Sequence, residues 1–329
     1  MKIAVDGFGG DNSPQEVVKG CIDAVKKRKD LEIVLVGKQD VLEPMVRQEY
    51  YGDKITFVQA ESVISCEEDP VLAIRRKKDS SLVTLFSLLK DGVVDGGVSA
   101  GSSGAVLAGG YFICKRIEGI SRPCLIPELP TLSGGTVALA DCGANVDCTP
   151  EYLLQFAKMG VAYMQSVRNI ENPRAGILNN GAEETKGNEL TKNAFKLLKE
   201  SDLNFVGSCE ARDILSGKFD VVVCDGFDGN IALKSAEGTA NAIFKLLKDG
   251  IDSSLRAKIG AGLLFPVLKS IKKKLDYTEH GGAGLVGIKK PFVKCHGSSK
   301  AKTFTASIIQ CNEMAKGNLP EKIASLIEK

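Results

Sequence analysis

Lys2-Ile3-Ala4-Val5-Asp6-Gly7-Phe8-Gly9-Gly10-Asp11-Asn12-Ser13-Pro14-Gln15-Glu16 opens the chain with three signals in succession. The β-branched apolar run predicts a buried strand, and the glycines and small polar residues end it. Ser13 ahead of Pro14 predicts a capped helix with proline in its first turn. The same succession returns along the chain, and the repetition decides the fold class.

Working outward, further strands are expected at Ile33–Val36, Ile55–Val58, Gly96–Val98, Cys124–Ile126, Thr136–Leu139, Ala175–Leu178, Asn204–Val206 and Val221–Val223. Helical spacing lies between them at Pro14–Arg28, Asp40–Gln48, Ser81–Asp91, Ser102–Lys115, Pro150–Val167, Asn188–Glu200 and Gly229–Lys248. Alternating strands and helices predict a three-layer α/β/α sandwich with a mostly parallel, mixed sheet. Too few residues separate Cys124–Ile126 from Thr136–Ala140 for a crossover helix, so a local antiparallel pair is expected there. The whole of 1–329 reads as a single α/β domain. A projecting helical segment is expected at about 251–280, where apolar residues at helical spacing run into Lys272-Lys273-Lys274.

Composition narrows the function. The 329 residues are 43% hydrophobic and 26% charged, as in a globular enzyme. Met1-Lys2-Ile3 enters a strand with no secretory pattern, and no stretch approaches the roughly 20 apolar residues needed to span a bilayer, so a cytoplasmic protein is expected. Ten scattered cysteines without a C-x-x-C pair suggest reduced, mostly buried thiols. Only two histidines, His280 and His296, leave little for a zinc site or a Ser-His-Asp triad, and no metal is expected. Residues 255–302 hold 11 Lys and Arg against 2 Asp and Glu, a net +9 that leaves the rest at −7. Such a field suits an acidic protein or an anionic membrane surface, or is a solvated basic face.

Five strand-end loops carry the chemistry, because ligands of open α/β sheets collect beyond the carboxyl ends of strands. Asp6-Gly7-Phe8-Gly9-Gly10-Asp11-Asn12 reads as an anion nest or a flexible turn, and not as a dinucleotide fingerprint, because Asn12 stands where the third glycine of G-x-G-x-x-G would fall. Ser99-Ala100-Gly101-Ser102-Ser103-Gly104-Ala105 precedes a helix, as a phosphate site or a capping turn. Asn179 to Gly187 carries Lys186 after a strand. Cys224 to Asn230 places Asn230 at the expected start of a helix, as an oxyanion donor or a cap. The fifth loop runs from Glu279-His280-Gly281-Gly282-Ala283 to His296-Gly297-Ser298-Ser299. These loops offer amides, hydroxyls and a cation but no clear nucleophile. Chemistry would come from holding two substrates together and stabilising charge.

Read together and in order, the loops resemble the acyl-ACP:phosphate acyltransferase (PlsX) family of bacterial phospholipid synthesis. The resemblance rests on Val5-Asp6 with Gly9-Gly10-Asp11 and Pro14, Ser99-Ala100-Gly101 with Gly104-Ala105, Asp141 with Gly143-Ala144-Asn145, and Glu183-Glu184 with Lys186-Gly187. Glu210 to Asp213, Asp225-Gly226-Phe227 with Gly229-Asn230, Gly281-Gly282-Ala283 and His296-Gly297-Ser298-Ser299 complete it. It implies a fold similar to isocitrate and isopropylmalate dehydrogenases and phosphotransacetylase, a homodimer, and no cofactor. The implied donor is acyl carrier protein bearing a long-chain acyl group, and the acceptor is inorganic phosphate. The acyl phosphate product would pass to a membrane glycerol-3-phosphate acyltransferase. Lys186 and Asn230 become the catalytic candidates. Asp6, Gly9, Gly10, Asp11, Ser99, Ser102, Ser103, Gly104, Asn145, Gly281, Gly282, His296 and Ser298 become the substrate or phosphate contacts. Leu263, Leu264 and Phe265 fall in a helical tip implied to touch the membrane or a second subunit.

The chain departs from the family's usual residues at Phe8, Ser102, Ser103, Asn180, Ala182 and Gly284. Two rivals are a metal- and NAD-dependent decarboxylating dehydrogenase of the same fold and a non-catalytic protein docking on carrier or membrane. The first lacks a visible carboxylate and arginine cluster, and the second leaves the polar loops without a purpose. Nothing points to nucleic acid.

Overall fold

Two sheets, not one, carry the strands of this protein, whose computed structural model describes residues 1–274 and 280–328. In chain order the strands are β1 Lys2–Asp6, β2 Glu32–Gly37, β3 Ile55–Gln59, β4 Gly96–Ser99, β5 Cys124–Ile126, β6 Glu128–Pro130, β7 Thr136–Ala140, β8 Ala175–Asn179, β9 Phe205–Glu210, β10 Val221–Val223, β11 Ala283–Val286 and β12 Phe292–Lys294. The helices are α1 Gln15–Lys27, α2 Gln39–Glu49, α3 Pro70–Arg76, α4 Ser81–Lys90, α5 Ser103–Gly109, α6 Pro150–Val167, α7 Glu189–Glu200, α8 Gly226–Asp252, α9 Leu255–Lys274, α10 Ala301–Lys316 and α11 Leu319–Ile327.

The mixed, mostly parallel α/β class expected from the sequence is the one observed. The first sheet runs β3-β2-β1-β4-β12-β11-β5, and the second runs β6-β7-β10-β8-β9. Four neighbouring pairs of the first sheet are parallel, and β11 lies antiparallel between β12 and β5. In the second sheet only the edge strand β6 is antiparallel. The expected antiparallel partner of β7 is therefore corrected. Cys124–Ile126 joins the first sheet, and Glu128–Pro130 turns back on β7, because Pro127 separates the two short strands.

The sheets meet where β5 leaves: Cys142 N–H donates to the Leu125 carbonyl at 2.9 Å, and Leu139 N–H to that of Pro127 at 3.1 Å. One buried apolar cluster runs across both, from Ile3, Val5 and Val98 through Phe156, Met159 and Tyr163 of α6 to Val221 and Val223. Helix α6 packs this closely because Gly160 offers no side chain to β10. A Cβ there would come within 2.6 Å of Val221 Cγ1. The opposite face of the first sheet is covered by α4 and α5, around Leu85, Phe86 and Phe292.

Helix starts depart from the sequence reading in two places. Helix α1 begins at Gln15, with Pro14 in the cap position behind a cis Ser13–Pro14 bond. The Ser13 hydroxyl donates to Gly10 O at 2.8 Å and does not cap the helix. Helix α8 begins at Gly226, not near Asn230. Asp225 is its cap, accepting from Phe227 and Asp228 N–H at 2.9 and 2.8 Å, so Asn230 lies one turn inside. Pro150 does occupy the first turn of α6 behind Thr149. The helical pair is α8 with α9, joined at Ser253–Ser254, and its first arm starts well before residue 251. Leu263, Leu264 and Phe265 lie in the body of α9, and are 81%, 56% and 61% exposed. Residues 275–279 of the expected segment, with Glu279 of the fifth loop, lie outside the described residues.

Candidate active site

Parallel pairing sends successive loops to the same sheet edge. In the first sheet the carboxyl ends of β1, β4 and β12 are neighbours, with Val5 beside Val98 and Ser99 beside Lys294. The loops after Asp6, Ser99 and Lys294 therefore gather at one place.

Asp6 and Ser99, both buried, are its floor. Ser99 Oγ donates to Asp6 Oδ2 at 2.7 Å and accepts from Gly101 N–H at 2.9 Å, while Phe8 N–H donates to Asp6 Oδ1 at 3.2 Å. Burial pushes the Asp6 carboxyl above its usual pKa, against the pull of the Ser81 and Ser99 hydroxyls and the Phe8 and Gly9 amides. Gly9 has to be glycine here. A Cβ would stand 2.7 Å from Asp6 Oδ2 and 2.8 Å from both Gly101 N and Ser99 Oγ. Gly10 has φ +94°, and its Cβ would meet Ala100 Cβ at 2.8 Å and Gly297 O at 2.9 Å. Asp11 N–H donates to Gly297 O at 2.8 Å, and Asn12 Nδ2 to Ser298 O at 3.0 Å, tying the first loop to the last. His296 Nδ1 accepts from Ser298 N–H at 3.2 Å and pairs with Ser298 Oγ at 2.8 Å. Ser102, Ser103 and Gly104 sit at the start of α5, where Ser102 makes no side-chain cap and Gly104 lies against the Pro70 ring.

The second sheet builds a matching edge from β7, β10 and β8, which lie side by side and parallel. Asp141 follows β7, is fully buried, and accepts at both oxygens. Leu125 N–H reaches Oδ1 at 2.8 Å. Ala144 N–H, Asn145 N–H and Asn145 Nδ2 reach Oδ2 at 3.1, 2.7 and 3.0 Å. Burial raises the carboxyl pKa to about 6 despite these donors. Asn145 also donates to Pro123 O at 2.9 Å, and its own carbonyl accepts from Gly226 N–H at 2.7 Å, so this loop seats the start of α8. Half-buried Asn230 faces Gly143, whose Cβ would lie 3.6 Å from Asn230 Cγ. Lys186 stands exposed after β8, its carbonyl accepting from Asn179 Nδ2 at 3.2 Å. Its ammonium makes no ion pair among the described residues.

The structure thus gathers Asp6, Gly9, Gly10, Asp11, Ser99, His296 and Ser298 at one edge, and Asn145, Asn230 and Lys186 at the other. Two features connect the edges. Ala144 packs against the apolar cluster under α4 and α5. Burial raises the pKa of Glu237, two turns beyond Asn230 on α8, against the weaker opposing charges of His296 and Lys234. Gly282 is held through Gln310, whose Oε1 accepts from Gly282 N–H at 3.1 Å and whose Nε2 donates to Gly282 O at 3.0 Å, and Gly281 lies against the same side chain. Gln310 Nε2 also donates to Tyr163 OH at 2.7 Å. Tyr163 in turn donates to buried Glu128 at 2.7 Å, and Arg168 clamps the same carboxylate at 2.6 Å.

Sequence reading missed Lys294, Glu237, and the Tyr163–Gln310 support. Lys294 ends a three-residue strand with too little pattern to be recognised. Tyr163 and Gln310 sit on helical faces that read as ordinary core. Their signal is a polar group recurring on an apolar stripe, visible in Tyr163 among Val161, Ala162 and Met164. Among the described residues no group of His, Cys, Asp and Glu is arranged to hold a metal.

Known proteins resemble the chain along its length. A family model described as fatty acid synthesis protein matches residues 1–322. Proteins named phosphate acyltransferase from Bacillus thuringiensis (strain Al Hakam) and Bacillus cereus (strain AH187) are each 47% identical over 329 residues, covering 100% of this chain and 99% of theirs. Among solved structures, a phosphotransacetylase from Streptococcus pyogenes superposes with TM-score 0.64 at 19% identity, covering 97% of this chain and 94% of its own. EutD phosphotransacetylase from Staphylococcus aureus gives 0.64 at 15% identity, covering 96% and 94%. At these identities the structural likeness speaks for the fold alone.

Proposed function

The chain belongs to the fatty acid synthesis protein family that includes the phosphate acyltransferases, and from that premise we propose that it transfers a fatty acyl group from acyl carrier protein to inorganic phosphate. The products are acyl phosphate and free carrier thiol. The observation that carries the reading is the parallel alignment of β7, β10 and β8, which directs the loops of Asp141–Asn145, Asn230 and Lys186 to one edge.

In this reading an oxygen of hydrogen phosphate attacks the thioester carbonyl carbon. The carbonyl oxygen becomes an oxyanion, the C–S bond breaks, and the sulfur leaves with the proton that the phosphate gives up. Atoms and charge balance without a covalent enzyme intermediate. Asn230 Nδ2 donates to the oxyanion, and Lys186 offsets the charge of the attacking phosphate. The Asp141 loop supports the first of these roles by fixing the start of α8 through Gly226 N–H and Asn145 O. The loops of Asp6, Ser99, Ser102, Ser103, Gly104, Gly281, Gly282 and His296 contribute amides and hydroxyls to the substrates.

The wider setting belongs to the same proposal. The net charge of +9 over residues 255–302 supports attraction of the acidic carrier protein and of an anionic membrane surface. Exposed apolar side chains on α8 and α9, including Ile243, Leu246, Leu255 and Leu263, support a homodimer formed through that helical pair. The product would pass from the cytoplasm to a membrane glycerol-3-phosphate acyltransferase. No helix among the described residues is long and apolar enough to cross a membrane.

Phosphate-dependent release of thiol from acylated carrier tests the assignment. Lys186→Ala and Asn230→Ala, each checked for native folding, should slow release by at least about tenfold. Near-normal turnover in either variant removes that residue from the mechanism.

A further inference from the structure

Lys294 ends β12 in the middle of the first sheet, flanked by Ser99 of β4 and Ala283 of β11. Side chains alternate along a strand, so its direction is fixed by its neighbours. Val293 and Cys295 enter the apolar cluster on the α6 side, while Phe292 stacks on Phe86 on the other, with ring centroids 4.8 Å apart. Lys294 therefore shares the face of Phe292. Ser99 shares it too, since Val98 points to the α6 side, and so does Asp6, next to Val5. Carboxyl, hydroxyl and ammonium form one row across the ends of three parallel strands.

The row is not balanced internally. Asp6 is engaged by Ser99 Oγ and Phe8 N–H. Ser99 Oγ gives its proton to Asp6 and accepts from Gly101. The half-buried Lys294 ammonium has three donors, and the protein acceptor it meets is the main-chain carbonyl of its neighbour Cys295. Among the described residues it forms no salt bridge with a carboxylate. Burial lowers its pKa, and the weaker influence of Cys295, Cys66 and Asp11 does not reverse this. A half-buried cation with one neutral acceptor is costly unless an anion completes it.

We propose that Lys294 is a phosphate-binding residue of the acceptor site, holding inorganic phosphate at the joined ends of β1, β4 and β12. On the β11 side, Gly282 keeps the flank free of a side chain that would strike the Lys294 backbone. Lys294 then holds the phosphate before reaction, and Lys186 offsets its charge as it attacks the thioester, so the two lysines divide binding from transition-state stabilisation. The inference rests on the reading that the acceptor is phosphate.

Calorimetric titration with inorganic phosphate alone tests it, without an acyl donor. The charge-free variants Lys294→Met and Lys294→Gln should bind phosphate at least about tenfold more weakly than wild type, with Lys294→Arg intermediate. In turnover, the charge-free variants should raise the KM for phosphate by a similar factor and leave the KM for the acyl thioester within about twofold. On the unaltered protein, phosphate should slow reductive methylation of Lys294, read by mass spectrometry, so the test does not depend on a variant folding. Undiminished phosphate affinity in a folded charge-free variant, failure of wild type to bind phosphate, or methylation indifferent to phosphate overturns the proposal. A wild-type chain that binds phosphate through Lys294 yet releases no thiol supports this inference and removes the transfer reading alone.

Discussion

Asp141 shows how one buried carboxylate organises an edge of the site. Four N–H groups converge on it, from Leu125, Ala144 and twice from Asn145. Removing a buried acceptor strands each donor at about 1–3 kcal/mol. Asp141→Ala should therefore cost at least about 3 kcal/mol in a denaturant titration; a loss below about 1 kcal/mol would show the loop holds without it. Its raised pKa of about 6 also sets a pH dependence. The folded state holds the proton more tightly than the unfolded one. The contribution is complete below the ordinary carboxyl value and is lost as pH climbs through about 6. Wild-type stability should thus fall more steeply between pH 4 and 6.5 than that of Asp141→Asn, and equal slopes contradict the assignment. Gly9 gives a second test at this scale. Gly9→Ala should cut phosphate-dependent turnover by at least about tenfold, because the new methyl displaces Asp6, Ser99 or Gly101. Legibility differed among such residues. Asp6, Gly9 and Ser99 stood out because loop chemistry is written in neighbouring letters. Lys294 did not, since its meaning depends on a partner strand nearly 200 positions away in sequence.

Among the elements, strands were legible wherever β-branched residues ran together, as in Ile33–Val36 and Val221–Val223. Strands β6, β11 and β12 were not, because Glu128–Pro130, Ala283–Val286 and Phe292–Lys294 are short and carry proline, glycine or lysine. The start of α8 was misplaced because Gly226 and Gly229 look like loop. Close packing requires both: a Cβ at Gly226 would meet Asn145 N at 2.8 Å, and one at Gly229 would meet Cys224 Sγ at 2.7 Å. Helix α6 makes a comparable demand. Gly160→Val should destabilise the fold by about 1–3 kcal/mol through its clash with Val221, read as a lower denaturation midpoint; an unchanged midpoint would mean α6 can lift from β10. For α9, the paired change Leu263→Asp and Leu264→Asp replaces two exposed apolar side chains. If this face meets lipid, the variant should lose flotation with anionic liposomes while remaining a dimer by light scattering. Loss of the dimer with flotation retained assigns the face to subunit pairing.

For the whole molecule, strand and helix alternation announced an α/β fold but not its division into two sheets. Local sequence specifies that a strand is buried on both faces; it does not say which strand lies beside it. Each sheet presents its own row of strand ends: Asp6, Ser99 and Lys294 on one, Asp141, Asn230 and Lys186 on the other. In the proposed reaction an anion held at the first row is joined to an activated ester whose oxyanion is steadied at the second. Phosphorus NMR of the chain with acylated carrier protein and inorganic phosphate reads that union most directly. An acyl phosphate signal should grow in step with free carrier thiol. Release of thiol with free fatty acid and an unchanged phosphate signal would contradict it.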